Sequence, residues 1–485
     1  MSLFINTARM QQDFDALAEI GAVGEGEARG VHRPALSAAH LEARAWFLER
    51  ARAAGLETRV DAAGNHSAIL RTSRVQRAPT NAEGGGAAGV SRLQRAPTEA
   101  AGASRAGGKS RLQPRDQGRG APTQDPAHTP TGTQARTLLL GSHLDSVPNG
   151  GRFDGALGVV AALEAARTIQ EAGLSLPVDV EVIDFTDEEG TLVGLLGSAA
   201  LAGTLSPGAL AQPRGGRAAL EAGLARAGLD EALIHTARRD PDTLAGYLEL
   251  HIEQGPRLAR EAVAIGVVSA IVGITSYRLT FQGRANHAGT TPMDERRDAG
   301  LGAAAFVLTA RELVARDFAL RGCVVNVGQM TFRPGAFNIV PGEAEVGLEF
   351  RAPDQARLDE LETALLGLAH VIARQYALGL EVKALGGCTP APMSERAQAA
   401  IAAAADALAL SHMTLVSGAG HDAQSLAPWT EAGMVFIPSR EGVSHSPEEF
   451  SEWEACVAGA NVLLGAALNL VNLTAEHAES AEKGD

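Results

Sequence analysis

Four apolar segments of the chain are each followed by histidine or carboxylate side chains, which are residue types that could bind metals or catalyse a reaction. They are His143, Asp145 and Asp154 in LLLGSHLDSVPNGGRFDGALG; Asp187, Glu188 and Glu189 in VIDFTDEEG; His251, Glu253 and Gln254 in LELHIEQGP; and His445 in MVFIPSREGVSHSPEE. Imidazole nitrogens and carboxylate oxygens suit borderline divalent metals. Two such metals about 3.5 to 4 Å apart can share and acidify a water and polarise a carbonyl. The residue types therefore predict a dinuclear hydrolytic centre.

Each segment also has a plainer interpretation when it is taken alone. The stretch around His143 could be a polar turn that ends in a helix cap. Three acids in a row usually form a solvated turn. A single histidine among the 13 in the chain is more often a surface or satisfied core residue. The occurrence of all these side chains after apolar strands favours the metal hypothesis.

Alternating strand and helix patterns surround these residues. The segment at 159–173 repeats apolar residues at helical spacing, and 177–186 has the pattern of a strand. The chain is therefore predicted to be an α/β protein with a mixed, mostly parallel sheet flanked by helices. Ligand sites of such sheets lie beyond the carboxyl ends of the strands. Because His143 and Asp145 are two residues apart on extended chain, Asp145 could accept a hydrogen bond from the His143 ring.

A second unit begins near residue 273. Its strands and helices follow the order β-α-β-β-α-β, with helices expected near 296–316 and 355–376. The first pattern resumes near residue 390. We therefore expect a catalytic domain formed by 1–272 and 390–485, with a smaller lid domain, 273–389, inserted into it.

Residues 73–135 differ in composition from the rest of the chain. They contain SRVQRAPT, its near copy SRLQRAPT, and nine basic residues against four acidic ones. We expect a disordered, low-complexity insertion within the catalytic domain. An inert, solvated loop is favoured over a tether for nucleic acid or a partner protein.

Composition restricts the class of ligand and the compartment. A formal net charge of −15 opposes binding to polyanions such as nucleic acid. The three scattered cysteines, Cys323, Cys388 and Cys456, and the absence of a secretory pattern at the start favour the cytoplasm. The apolar segment 455–473 contains three asparagines, which indicates a buried helix and not a membrane span.

A set of motifs spread over nearly the whole chain outside 73–135 resembles one known family. These motifs are GSHLDSVPNGGRFDG, DEEG, LELHIEQGP, NHAGTTPM, NIVPG, SGAGHDA and GVSHSPEE. They resemble the hydantoinase/carbamoylase amidases of the M20 metallopeptidase clan. That group includes N-carbamoyl-L-amino-acid hydrolases, allantoate amidohydrolases and β-ureidopropionases.

The resemblance implies a role for each residue of the centre. Asp154 would bridge two divalent ions of zinc, manganese, cobalt or nickel. His143 and His251 would complete the coordination of one ion, and Glu189 and His445 that of the other. Glu188 would be the general base, and Asp145 would orient its neighbours.

The resemblance also implies contacts with substrate and with a second subunit. His287, on the lid, would reach into the partner's site of a homodimer and stabilise an oxyanion. Asn338 and Arg351 would bind the substrate carboxylate, and Gln254 and His421 would make further substrate contacts. Without the motifs, Arg351 would be a surface ion-pair partner and Asn338 a turn residue.

The predicted activity is hydrolysis of the carbamoyl C–N bond of an N-carbamoyl-L-amino acid or related ureido acid, which releases ammonia, carbon dioxide and the amino acid. Allantoate, N-acyl amino acids or dipeptides are alternative substrates, and an inactive binding or scaffold protein is an alternative of another class. Two departures from the family pattern concern substrate choice: TLVGLLG follows DEEG, and Glu349 stands where aspartate is common.

Overall fold

The computed structural model describes residues 3–26, 29–72 and 135–482. The predicted insertion at 73–135 lies outside these ranges except for Ala135. The strands are β1 (Ala22–Val23), β2 (Gly30–Val31), β3 (Glu57–Val60), β4 (His66–Leu70), β5 (Thr137–His143), β6 (Asp179–Phe185), β7 (Leu244–Ile252), β8 (Ile265–Ile271), β9 (Gly273–Gln282), β10 (Asn286–His287), β11 (Val324–Arg333), β12 (Ile339–Val340), β13 (Glu343–Ala352), β14 (Gly379–Cys388), β15 (Ala391–Pro392), β16 (His412–Ser417) and β17 (Ala432–Ile437).

The α-helices are α1 (Thr7–Glu19), α2 (Ala38–Ala53), α3 (Ala156–Glu171), α4 (Leu196–Ala202), α5 (Pro207–Ala211), α6 (Arg217–Ala227), α7 (Arg257–Glu261), α8 (Ala299–Asp317), α9 (Gln355–Gln375), α10 (Glu395–Ala407), α11 (Asp422–Leu426) and α12 (Trp453–Glu482). Short 3-10 turns separate some of them, at Glu231–Ala237, Pro241–Thr243, Met293–Glu295, Ala319–Arg321 and Arg440–Gly442.

A nine-stranded mixed sheet forms the centre of the larger part of the fold. Its strand order is β15-β8-β17-β7-β5-β6-β4-β3, and β16 also pairs with β8. The neighbours β17, β7, β5 and β6 run parallel, whereas β4, β3 and β15 pair antiparallel at the two sides. The predicted α/β class and mixed sheet are confirmed, and the parallel pairings are concentrated where the site residues leave their strands.

Both faces of this sheet are covered. Strands β5, β6 and β7 are buried at almost every position, which is typical of strands packed between helical layers. Side chains of α1, α2, α3, α10 and α12 pack in one core on one face, and those of α4, α7 and α11 pack on the other. A Cβ at Gly141 would lie 1.9 Å from the Ile183 carbonyl oxygen, so only glycine allows β5 and β6 to approach so closely there.

The last helix is apolar and packs into this core. Within the described ranges, Trp453–Asn472 is long and apolar enough to cross a membrane by length and composition. Its Val462, Leu463 and Leu470 are fully buried. Asn461 accepts a hydrogen bond from the Ile5 N–H, and Asn469 donates one to the Ala400 carbonyl. These amides therefore find partners inside the protein, as expected for a core helix.

A separate four-stranded antiparallel sheet has the order β11-β13-β9-β14. Helices α8 and α9 cover one of its faces. Asp298 and Asp354 immediately precede them, and their carboxylates accept hydrogen bonds from the first turn of each helix. The core between them contains Phe281, Phe306 and other apolar side chains. The elements follow the predicted β-α-β-β-α-β order. The short strands β10 and β12 form a separate antiparallel pair. Strand β10 contains the first two residues of the NHAGTTPM segment.

A fully buried ion pair ties α2 to the strand ends where the polar residues begin. Arg44 Nε donates to Asp184 Oδ2 at 2.8 Å, and the two side chains expose 1% and 0% of their surface. Asp184 Oδ1 also accepts the Leu144 N–H at 2.8 Å, and Arg44 donates to the Phe185 carbonyl. Because Asp184 is buried, its pKa is raised to about 6 in spite of the arginine.

Replacement of Arg44 should therefore destabilise the protein strongly. In Arg44→Met, Asp184 stays buried without its cation, and we expect a loss of about 3 to 5 kcal/mol in the free energy of unfolding. Arg257→Met is the matched control, because the Arg257–Glu261 pair is about half exposed on both sides and should be worth about 1 kcal/mol or less. Urea unfolding of both variants tests this, and similar small losses would contradict it.

Candidate metal centre

Residues from four separate segments meet at one edge of the large sheet. His143 ends β5, His251 lies near the end of β7, Glu189 follows β6, and His445 lies in the loop after β17. Asp154 precedes α3 and lies among them. These chain ends meet because parallel strands place their carboxyl ends along one sheet edge.

Asp154 is shared by two groups of potential metal ligands. Its Oδ1 lies 3.0 Å from His251 Nε2 and 3.5 Å from His143 Nε2. Its Oδ2 lies 3.4 Å from His445 Nε2, which is also 3.4 Å from Glu189 Oε2. Within each group the ligand atoms all lie within 4.8 Å of one another. Because Asp154 faces these imidazoles, its pKa is held well below its usual range even though the side chain is buried.

The main chain orients the two buried imidazoles. His143 Nδ1 donates to the Asp145 carbonyl at 3.0 Å, and His251 Nδ1 donates to the Ile252 carbonyl at 2.9 Å. Each ring is thereby turned so that its Nε2 faces Asp154. The buried His143 Nε2 makes no hydrogen bond within the part of the chain that the structure describes. This orphaned nitrogen and the mixed nitrogen and oxygen donors fit a pair of divalent metal ions.

Asp145 holds the turn that follows β6. Its carboxylate oxygens accept the N–H groups of Glu188 and Glu189, each at 3.3 Å. The predicted hydrogen bond from the His143 ring to this carboxylate is wrong, because His143 Nδ1 lies 3.9 Å from Asp145 Oδ1 and binds the carbonyl of the same residue. Burial raises the pKa of Asp145 to about 6.

In the DEEG segment Asp187 is buried and Glu188 and Glu189 are partly buried, and the three acids have different surroundings, so they do not form a solvated turn. The carboxylate of Asp187 accepts the N–H groups of Leu192, Val193 and Gly194 and shapes the loop. Glu188 Oε2 lies 3.6 Å from His143 Nε2, and burial raises its pKa well above the usual range. Glu189 accepts the N–H group of Val147, and burial and the nearby Asp154 raise its pKa to about 8.

Gln254 and His421 line the same centre. Gln254 Nε2 donates to Asp154 Oδ2 at 2.7 Å, and its buried Oε1 has no partner among the described residues. The His421 ring packs edge-on against the His251 ring with centroids 4.5 Å apart. His421 Nε2 lies 2.9 Å from Ser417 Oγ, and burial lowers the pKa of its imidazole, which is therefore neutral.

The residues predicted to contact substrate from the lid lie in other surroundings. Arg351 donates to the Gly418 carbonyl at 2.7 Å and to the Glu349 carboxylate at 2.8 Å. Asn338 is exposed, and its carbonyl accepts the N–H of Ala288. His287 is exposed, and no hydrogen bond or ion pair within the described ranges joins it to the residues around Asp154.

Sequence reasoning missed buried charged residues behind the ligands. Glu449 accepts the N–H groups of Phe153 and Asp154, each at 3.1 Å. Arg33 is fully buried and donates to the Leu144 carbonyl at 3.0 Å, opposite the N–H of Leu144 that Asp184 binds. Glu449 lies within the GVSHSPEE motif, but an acid beside a second acid has the pattern of an exposed residue. Arg33 carries no comparable signal.

Comparisons with known proteins agree with this geometry. The profile described as Peptidase family M20/M25/M40 matches residues 139–469. The matched segment is more than half of the 485 residues. The N-carbamoyl-L-amino acid amidohydrolase of Geobacillus stearothermophilus is 39% identical over 335 residues, or 69% of this chain and 81% of the relative. The allantoate amidohydrolase of Bacillus subtilis (strain 168) is 32% identical over 339 residues, with the same shares covered.

A solved structure is similar to this one over nearly the full length of the chain. The crystal structure of a hydantoinase/carbamoylase family amidase from Burkholderia ambifaria superposes with a TM-score of 0.77 at 29% sequence identity. The match covers 97% of this chain and 99% of that one.

Protein stripped of metal by a chelator should lose stability as the pH rises from about 5.5 to about 8.5. The pKa values of Asp145, Glu449 and Glu189 are raised to about 6, 7 and 8, and that of His445 to about 9 by its hydrogen bond to Asp154. In the folded state all four groups keep their protons to a higher pH than in the unfolded chain, so stability falls as the three carboxyl groups ionise and His445 becomes neutral.

Urea unfolding midpoints of the stripped protein across this pH range test the expectation. Protein loaded with a divalent metal should lose less, because the cations compensate the ionised carboxylates. A midpoint of the stripped protein that rises with pH would contradict the assignment.

Proposed function

The chain belongs to peptidase family M20/M25/M40, and on that premise we propose that it is a metal-dependent amidohydrolase acting on the carbamoyl C–N bond of N-carbamoyl-L-amino acids or related ureido acids. The observation that carries the proposal is the sharing of Asp154 by two ligand groups, with Glu188 beside one of them. The names of the similar amidohydrolases support the substrate class.

The cofactor is a pair of divalent metal ions, of zinc, manganese, cobalt or nickel. His143 and His251 would hold one ion, Glu189 and His445 the other, and Asp154 both. When bound, these ions supply Lewis-acid chemistry: they acidify a water and polarise the carbonyl. Every other part of the reaction falls to side chains of the protein.

Glu188 is the general base. It takes a proton from the water that attacks the ureido carbonyl and returns this proton to the leaving nitrogen. Its raised pKa suits a carboxyl group that must hold the proton between the two transfers. Asp145 binds the N–H groups of Glu188 and Glu189 and so fixes the base beside its neighbouring ligand. When the C–N bond breaks, the leaving nitrogen becomes the amine of the free amino acid. The other product, carbamate, decomposes to ammonia and carbon dioxide.

His287 stabilises the developing oxyanion from a second subunit. Its Nδ1 accepts the N–H groups of Gly289 and Thr290, so the proton of the neutral ring lies on Nε2, which is free to donate. A neutral N–H aimed at a forming oxyanion lowers the barrier. Within the described ranges His287 is exposed and makes no hydrogen bond or ion pair with the residues around Asp154. This supports a homodimer in which it enters the partner's site, and light scattering that found only monomer would count against it.

Arg351 and Asn338 bind the substrate carboxylate. A guanidinium matches a carboxylate with two parallel hydrogen bonds. Glu349 and the Gly418 carbonyl hold the Arg351 side chain in place. Gln254 and His421, beside Asp154 and His251, contact the ureido group. Arg351 and Asn338 could bind the carboxylate of allantoate in the same way. Allantoate is our second candidate substrate, because the similar protein of Bacillus subtilis is an allantoate amidohydrolase.

The net charge, the last helix and the cysteines support the partners and the cellular compartment that we propose. The net charge of −15 disfavours nucleic acid as a partner. The apolar helix is packed in the core, which supports a protein without a membrane partner. All three cysteines are free, which is consistent with the cytoplasm that we propose as its compartment.

Ammonia release by metal-reconstituted protein tests the function. Stripped protein is reloaded with manganese, zinc, cobalt or nickel and offered N-carbamoyl-L-amino acids, β-ureidopropionate and allantoate in parallel. We expect metal-dependent turnover on the N-carbamoyl substrates. Glu188→Gln should reduce kcat about a hundredfold or more, because the general base is lost while the metals stay bound. Turnover on none of these substrates by folded, metal-loaded dimer would refute the proposal.

Arg351→Lys should raise KM for an N-carbamoyl-L-amino acid about tenfold or more, because the two parallel hydrogen bonds are lost while the charge stays. The matched control is Arg278→Lys, on the same sheet and paired with Glu345, which should leave KM unchanged. An N-carbamoyl amine without a carboxylate should react equally with wild type and Arg351→Lys. A KM increase for this amine would show that Arg351 acts on something other than the carboxylate.

A further inference from the structure

Glu449 is a buried carboxylate that binds the chain around Asp154. The residue exposes only 4% of its surface. Its Oε1 accepts the N–H groups of Phe153 and Asp154, each at 3.1 Å, and its Oε2 accepts the hydroxyl of Ser444 at 2.7 Å. One side chain thus contacts both the segment that carries Asp154 and the segment that carries His445.

The surrounding chain leaves room for this carboxylate and for little else. A Cβ at Gly151 would lie 2.0 Å from Glu449 Oε1, so a glycine is needed where the carboxylate meets the loop. Ser444 Oγ also lies 3.4 Å from Asp154 Oδ2, and Gln254 Nε2 donates to both of these groups. Glu449, Ser444 and Gln254 therefore fix Asp154 through its main chain and through its Oδ2.

Simple charge pairing does not explain Glu449. Within the described ranges, no arginine, lysine or histidine nitrogen forms an ion pair with its carboxylate. Burial of a carboxylate without a cation costs stability. Its place is better explained by what it does to Asp154 than by a gain in stability.

We propose that Glu449 is a positioning residue that sets the orientation of Asp154 and couples it to the loop of His445. The proposal rests on the dinuclear function proposed above. The two metal positions depend on it unequally. His143 and His251 belong to central strands and are oriented by main-chain carbonyls. His445 lies in a loop and exposes 54% of its side chain, so its position relies on Ser444 and Glu449.

Metal binding by stripped protein is the test, measured by calorimetric titration with manganese and with zinc. Wild type should bind two ions. Glu449→Ala should bind the second ion about 10 to 100 times more weakly, as is typical when a residue that supports a ligand is lost. The first ion shares Asp154 but is also held by His143 and His251, so it should be weakened much less. Glu449→Gln retains an oxygen that can accept the two main-chain N–H groups, so it should lose less than tenfold. Glu448→Ala, the same change at the exposed neighbour, should bind both ions like wild type.

The outcomes separate this proposal from the function on which it rests. Wild type that binds no second ion would refute the dinuclear function itself. Two ions bound normally by wild type and by Glu449→Ala would overturn the positioning role, as would equal weakening of both ions. If Glu449→Ala does not fold, Ser444→Ala removes the hydroxyl link alone. A severalfold weaker second ion in Ser444→Ala then supports the proposal, and unchanged binding overturns it.

Discussion

The concentration of carboxylates in one buried space is the constraint on which the rest of this structure depends. Asp145, Asp154, Glu188, Glu189 and Glu449 converge with three imidazoles at the ends of the central strands. Burial raises the pKa of four of these carboxyl groups. The pKa of the fifth, Asp154, is lowered because three histidines surround it. Such a cluster is costly unless cations or protons compensate it. Bound divalent cations would offset the same cost.

Carboxylates also build the loops that present the ligands. Asp145, Asp187 and Glu449 each bind two or more consecutive or neighbouring main-chain N–H groups, and each does so beside a different part of the centre. The peptide between His143 and Asp145 is held from both sides by Asp184 and Arg33. Loops without regular structure are thereby held in place by side-chain carboxylates that bind their main-chain N–H groups.

Apolar periodicity predicts the strands and helices, and the strand ends predict that the candidate ligands lie close together; their roles as ligands remain predictions. The candidate ligands lie close together although they are far apart along the chain, and the sequence pattern predicts this. They are His143, Asp154, Glu189, His251 and His445. The contacts of Asp145, Asp187 and Glu449 could not be predicted, because they depend on the path of the main chain. His287 and Asn338 remain predictions, since their proposed partners are a substrate and a second subunit, and the domain boundaries likewise remain predictions.

The position of β17 has a consequence for how the protein is made. This strand is the last along the chain, yet it lies inside the sheet, between β7 and β8. A nascent chain that has not reached Ile437 leaves both of those strands with an open edge, and His445 has not yet been synthesised. Since domains fold as units once their chain is available, the residues around Asp154 come together only after the chain as far as His445 has left the ribosome. The candidate metal centre therefore forms after β17 and the loop that carries His445 have been synthesised, and not while the central strands β5, β6 and β7 are being made.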